Sequence, residues 1–209
     1  MEDSGSGKEE AKDTLLQDGG LKIRKEITNL ADVSNMVDLF ITPSIIQQFY
    51  LNPEWGVRAY YNTLYPSKKK KDNYYTYVGK KLHEELGFNN KQRFYKTKVI
   101  EIDGQLYELA VEGTPDYVDN EIKELKTTSA EKIKDRDSLD KIINAAKLQL
   151  LGYLFLTDTD YGIIVVADRQ RDLEFVEVVV QRDDEEFFKW VAKFFKYLWS
   201  QQTLFDFVD

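Results

Sequence analysis

The sequence predicts an α/β fold, and three observations carry that prediction. Residues 94–101, 105–110, 161–167 and 174–180 alternate apolar with polar residues or cluster β-branched and aromatic ones, as strands do. Residues 75–86, 141–156 and 183–202 instead carry apolar positions at a helical spacing. Asp103-Gly104 and Asp119-Asn120 are turn dipeptides set between strand-like runs, where tight hairpins are built.

A chain of 209 residues is long enough for one substantial core. The expected organisation is a tail at 1–20 and one domain at 21–209, divided into a helical region at 21–90, a sheet and helix at 91–182 and a C-terminal helix at 183–209. Hydrophobic residues make up 42%, yet no apolar run approaches the ~20 residues of a membrane span. No membrane partner is therefore expected. The acidic, polar N-terminus predicts no secretory signal, and the absence of cysteine excludes disulfides, thiolate-bound zinc and iron–sulfur clusters. An intracellular, cytoplasmic setting follows as an expectation.

Charge is segregated. From Arg58 to Lys98 there are eleven Lys or Arg against Asp72, Glu84 and Glu85, in a chain whose net charge is −8. Such a distribution fits a confined phosphate-binding surface on an acidic body, or a solvated lysine loop.

Taken in order, residues 1–20 are rich in Ser, Gly and charge and read as a flexible tail. Thr42 or Ser44 caps a helix near Pro43, and a second runs from Glu54 towards Tyr65. Lys68, Lys69, Lys70 and Lys71 stand between tyrosines, with Tyr74 and Tyr75 following. Basic side chains interleaved with rings suit single-stranded nucleic acid, because phosphates take the charge and bases stack. Lys80 and Arg93 extend this candidate nucleic-acid surface; a solvated loop with partly buried tyrosines is the equal alternative. The helix at 75–86 ends at Gly87 and carries His83, the sole histidine, four residues after Gly79, so the two share a face.

Two strands at 94–101 and 105–110 lead into the stretch from Glu112 to Thr127. Folding back at Asp119-Asn120 sets Asp116 roughly opposite Glu124, and Glu124 and Lys126 point to one side because side chains alternate along a strand. Two acids and a base thus converge on one patch, with three consecutive antiparallel strands expected. A solvated sheet face also presents such groups, with cross-strand charge pairs contributing only about 0.2–1 kcal/mol. Residues 127–139 are polar and read as a segment across the site entrance. The helix at 141–156 is largely buried, which makes Gln149, four residues before Tyr153, informative, since a buried amide needs partners. The last helix opens on Asp183-Asp184-Glu185-Glu186, matched to its positive end, and carries a Phe-rich packing stripe. Trp190 and Trp199 exceed that stripe and offer a homo-oligomer contact, although a helix closing the core is the simpler account. No internal repeat, phosphate-cradling glycine loop or Ser-His-Asp arrangement is present.

Four motifs in order, Gly79-x-x-x-His83, Gly113-x-x-Asp116, Glu124-x-Lys126 and Gln149-x-x-x-Tyr153, resemble those of the PD-(D/E)XK nuclease superfamily in its RecB-like branch. The likeness spans roughly residues 42–180 and includes the branch related to CRISPR-associated RecB-like exonucleases. Where those relatives carry Cys-Pro in the N-terminal helical region, this chain has Asn52-Pro53, which implies a member without the iron–sulfur cluster. The resemblance implies a restriction-endonuclease-like core, a mixed central sheet flanked by helices with an N-terminal helical region. It also implies metal ligation by His83, Asp116, Glu124 and the Leu125 carbonyl, with Lys126 at the reacting phosphate and Gln149 and Tyr153 lining the site. The small, cysteine-free build is similar to that of archaeal virus nucleases, which would act in the host cytoplasm.

The expected activity is Mg- or Mn-dependent hydrolysis of DNA phosphodiesters, on single-stranded or end-bearing DNA. A cation lowers the pKa of bound water and neutralises the phosphate, while an ammonium stabilises developing charge. Two alternatives stay open at this point: a structure-selective endonuclease of the Holliday-junction-resolvase type, and a catalytically silent nucleic-acid-binding domain of the same fold.

Overall fold

The computed structural model describes residues 38–66, 74–169 and 175–205. The expected tail and Lys68 to Lys71 lie outside the described residues, as do the side chains of Tyr74 and Tyr75. The elements are β1 (Leu39–Ile41), α1 (Pro43–Leu51), α2 (Pro53–Leu64), α3 (Tyr74–Glu85), β2 (Phe94–Ile102), β3 (Gln105–Gly113), β4 (Tyr117–Val118), β5 (Ile122–Thr128), α4 (Ala130–Lys134), α5 (Arg136–Thr157), β6 (Tyr161–Asp168), β7 (Phe175–Gln181) and α6 (Asp184–Phe205).

The strands form two mixed sheets, ordered β1-β3-β2 and β4-β5-β6-β7. β2 and β3 are an antiparallel hairpin turning at Asp103 and Gly104, both of which have positive φ, as a tight Asp-Gly turn requires. β1 pairs parallel to β3, and β5 parallel to β6. A parallel pair needs a crossover, and α5 supplies it. The expected run of three consecutive antiparallel strands is therefore not formed, because β3 and β5 belong to different sheets. The reason is local: Pro115 lacks the N–H a ladder needs, and it breaks the chain between β3 and β4.

α5 is the hub. From Ala145 to Leu156 all but one of its residues are buried, the exception being half-buried Lys147. A helix apolar on every side must be enclosed. Its residues share the main core with Ile45 and Ile46 of α1, Leu109 and Val111 of β3, Ile164 and Val166 of β6, and Phe187 and Phe194 of α6. Gly152 lets α1 and α6 reach it: a Cβ there would lie 2.7 Å from both Phe187 and Pro43. Asn52-Pro53 works as a helix start, with Asn52 Oδ1 accepting from Glu54 N at 2.9 Å and Pro53 in the first turn.

Of the segment at 127–139, Thr127 and Thr128 end β5 and the rest forms α4 and the first turn of α5, which Asp135 caps by accepting from Ser138 N at 3.1 Å. Trp190 and Trp199 pack inside the chain, Trp190 at 5.2 Å from the Tyr50 ring and Trp199 at 5.4 Å from that of Tyr107. The simpler expectation, a helix closing the core, therefore describes α6.

Candidate active site

The site lies where β5 runs out of a strand neighbour. β4 pairs only Tyr117 with Lys123 and Val118 with Ile122. One step further along this register Asp116 comes level with Glu124. Asp116 Oδ2 accepts from the Leu125 backbone N at 3.0 Å, in the place a longer β4 would have filled. A strand residue's N–H and C=O point to the same lateral side, so the Leu125 carbonyl also faces this edge.

Alternation along β5 divides the neighbours. Ile122 belongs to the main core and Lys126 reaches Gln149, so even-numbered residues face α5. Leu125 packs with Leu82, so odd-numbered residues face α3. Gly79 allows α3 to sit this close, since a Cβ on it would stand 3.3 Å from Thr127 Oγ1. One helical turn on, His83 Nδ1 comes to 3.6 Å from Asp116 Oδ1. That is beyond a hydrogen bond. One cation with N and O ligands at about 2.0–2.2 Å can span it.

Lys126 is fully engaged. Its ammonium donates to Glu124 Oε1 at 2.7 Å, Gln149 Oε1 at 2.8 Å and Gln47 Oε1 at 3.3 Å, three acceptors for three protons. Gln149 passes the chain on through Nε2 to the Tyr153 hydroxyl at 2.9 Å. The buried amide thus has partners on both ends, and Gly113 leaves room for Tyr153, whose ring atom Cε1 would be 2.7 Å from a Cβ there. Burial raises the Tyr153 phenol well above its usual range, with Glu124 adding to the effect, so it stays neutral.

Burial likewise pushes the Glu124 carboxyl up to about 7, with Lys126 opposing the shift and Asp116 adding to it. Burial raises Asp116 as well, against the pull of Lys126. His83 is shifted down, again chiefly by burial, which keeps its imidazole neutral and its lone pair available.

No three carboxylate or imidazole groups stand as a ready-made metal cage among the described residues, and Glu124 Oε1 is turned to Lys126. The fit to a cation rests on Glu124 Oε2, which is buried and has no hydrogen-bond partner. Leaving such an oxygen unsatisfied costs about 1–3 kcal/mol or more. A divalent ion between Glu124, Asp116 and His83 would satisfy it. Two carboxylates, an imidazole and a carbonyl form a largely hard donor set, suited to magnesium or manganese.

The candidate nucleic-acid residues are less concentrated. Lys80 is exposed, but Arg93 is paired at 2.6 Å with buried Glu112. Lys96, counted in the basic segment, is buried against Asp158 at 2.6 Å, and Lys98 lies 4.6 Å over the Phe188 ring. The basic residues described between Arg58 and Lys98 therefore do not form one free surface. Sequence reasoning also missed Gln47. It is a half-buried residue of α1 beside an equally half-buried Gln48, and no local pattern singles it out.

No protein-family model matches the chain, and no curated protein matches it at a significant level. Among solved structures, the chain is similar to a phage-related exonuclease from Haemophilus somnus 129PT, with 17% identity over 81% of this chain and 99% of that one and a TM-score of 0.50. An alkaline exonuclease from Laribacter hongkongensis matches with 13% identity over 80% of this chain and 90% of that one, with a TM-score of 0.42. Together with the sheet topology, the first likeness shows the fold, an α/β core of mixed sheets flanked by helices.

Proposed function

We propose that the protein is a metal-dependent deoxyribonuclease of the RecB-like kind, hydrolysing phosphodiester bonds in single-stranded or end-bearing DNA. One observation carries the reading: an unsatisfied, buried carboxylate oxygen on Glu124 stands between a lysine ammonium and a second carboxylate, at the open edge of a strand. Glu112 in its pair with Arg93 also keeps a buried oxygen without a partner, so what sets Glu124 apart is its place beside Asp116 and His83 at that edge. Asp116, Glu124, His83 and the Leu125 carbonyl would hold magnesium or manganese. When bound, the ion supplies a lowered pKa for water and neutralises phosphate charge.

The chain's own residues do the rest. Lys126 holds its three protons towards Glu124 and the two glutamines, and one of them turns to the scissile phosphate or the attacking water as charge develops. Gln47 and Gln149 fix the ammonium from the helix side, so it enters the reaction already oriented. Tyr153, kept as a neutral phenol, holds Gln149 in the orientation that offers its oxygen to Lys126. His83, neutral, presents a nitrogen rather than a second positive charge.

The test incubates end-labelled linear and circular DNA, single- and double-stranded, with manganese, magnesium or chelator. The proposal expects cleavage with a divalent ion, none with chelator, and none by Asp116→Ala. Nucleic-acid binding without cleavage, or cleavage that survives Asp116→Ala, would overturn it.

A further inference from the structure

Asp116 lies in no strand: β3 ends at Gly113, β4 begins at Tyr117, and Pro115 between them has no N–H to give. Backbone carbonyls in such a stretch need donors from elsewhere in the chain. Asn90 supplies two of them. Its backbone N donates to Asp116 O at 3.1 Å and its Nδ2 to Pro115 O at 2.9 Å. Nδ2 also reaches Gln92 O at 3.3 Å, and Oδ1 accepts from Gln92 N at 3.0 Å. That last bond is an Asx turn, which fixes the side chain with its amide nitrogen towards Pro115.

The same connection holds the other candidate ligand. α3 closes in a Schellman motif, with Gly87, whose φ is 79°, donating to Glu84 O at 3.3 Å and Phe88 N donating to His83 O at 2.8 Å. Phe88 N and Asn90 N, two positions apart, therefore bond to the carbonyls of His83 and Asp116. The Phe88 ring adds a second link, 6.4 Å from the ring of His83 and 6.0 Å from that of Tyr117, the residue after Asp116. One short stretch of chain thus grips both residues whose side chains approach to 3.6 Å.

We propose that residues 87–90 are a strap that sets the separation of His83 and Asp116, with Asn90 as the positioning residue for the Asp116 carboxylate. The inference rests on the metal-dependent reading of the site and adds to it a residue outside the candidate ligand set. Freed from Asn90, the backbone at Pro115 and Asp116 can rotate, and the carboxylate swings with it. Leu125 N, which donates to Asp116 Oδ2 at 3.0 Å, then loses its acceptor. Its amide is a reporter of the carboxylate that needs no metal.

The test compares the full chain with Asn90→Ala and with Gly87→Ala, which strains the strap by a different route. Gly87 needs its positive φ, and a Cβ there meets nothing within 4 Å, so the change acts on the backbone alone. Asp38→Ala is the control, because it removes a bond from backbone to side chain on the other sheet, Glu108 N to Asp38 Oδ2 at 2.8 Å. With chelator present, exchange of the Leu125 amide, followed by NMR, speeds up in both strap variants and not in the control. Manganese affinity by titration calorimetry falls about 10–100-fold in Asn90→Ala, as for other residues that orient a ligand from outside the coordination sphere, and in the same direction in Gly87→Ala. Cleavage by Asn90→Ala falls at low manganese and is largely restored at saturating manganese, with KM for DNA unchanged. A merely structural bond would lower the melting temperature and leave Leu125 exchange and manganese affinity at wild-type values. If the wild type cuts DNA and both strap variants keep those values, the strap is wrong while the nuclease reading stands. If the wild type binds manganese but cuts nothing, and Asn90→Ala binds it more weakly, the strap stands and the nuclease reading fails. A wild type that binds no manganese overturns both.

Discussion

At the Glu124 carboxyl, burial favours the protonated form in the folded chain and pushes ionisation up to about 7, against 4.5 for the ordinary group. The folded state therefore binds this proton more tightly than the unfolded one. The stability it contributes is complete below about 4.5 and is lost as pH rises through about 7, a difference of a few kcal/mol. His83 acts in the opposite sense, since a lowered imidazole pKa costs stability as pH falls through its ordinary value of 6.5. The comparison with Glu124→Gln isolates the carboxyl. Metal-free wild type should lose stability relative to this variant between pH 5 and 8, read by chemical denaturation at each pH. Manganese competes with the same proton, so its stabilisation of the wild type should be larger at pH 8 than at pH 6. A manganese effect independent of pH would contradict the assignment. Lys126→Ala should lower kcat by about 10²–10³-fold, as removal of a preorganised electrostatic donor does, and single-turnover cleavage measures it.

The elements around the site act as spacers, and their glycines set the distances. Gly79→Ala would press a methyl against Thr127 Oγ1 from 3.3 Å. The neighbour must give, moving α3 and with it His83 away from Asp116. We expect weakened manganese affinity by titration calorimetry with a small stability cost, whereas unchanged affinity would show that α3 does not position the ligand. Gly56→Ala is the control: its Cβ would meet Phe49 Cβ at 2.5 Å where α1 and α2 cross. That variant should lose about 1–3 kcal/mol of stability. The hairpins, α3, α5, β6, β7 and α6 were legible in the sequence, because each follows from a local period or a turn dipeptide. The separation of β3 from β5 was not, although Pro115 carried the warning. Gln47 was missed for a different reason. It joins Lys126 across 79 positions in sequence, and no local pattern records a partner that only the packing of α1 on α5 supplies.

At the scale of the molecule, one helix ties two sheets into a single core. Leu151, on α5 and fully buried, belongs to the core cluster that includes residues of β3 and β6. Leu151→Ala should therefore cost about 2–5 kcal/mol and lower both sheets together, seen as one calorimetric transition at reduced temperature. Two separate transitions would mean that the sheets fold independently. The charge arithmetic of the sequence was right in sum and misleading in place. Arg93 and Lys96 of the basic segment are neutralised within the fold.

The most direct measurement is a crystal of the protein soaked with manganese and examined at the manganese absorption edge. The account predicts an anomalous peak between Glu124, Asp116 and His83, with Glu124 Oε2 and the Leu125 carbonyl turned towards it. A peak elsewhere, or none at saturating manganese with Glu124 Oε2 still without a partner, would contradict it.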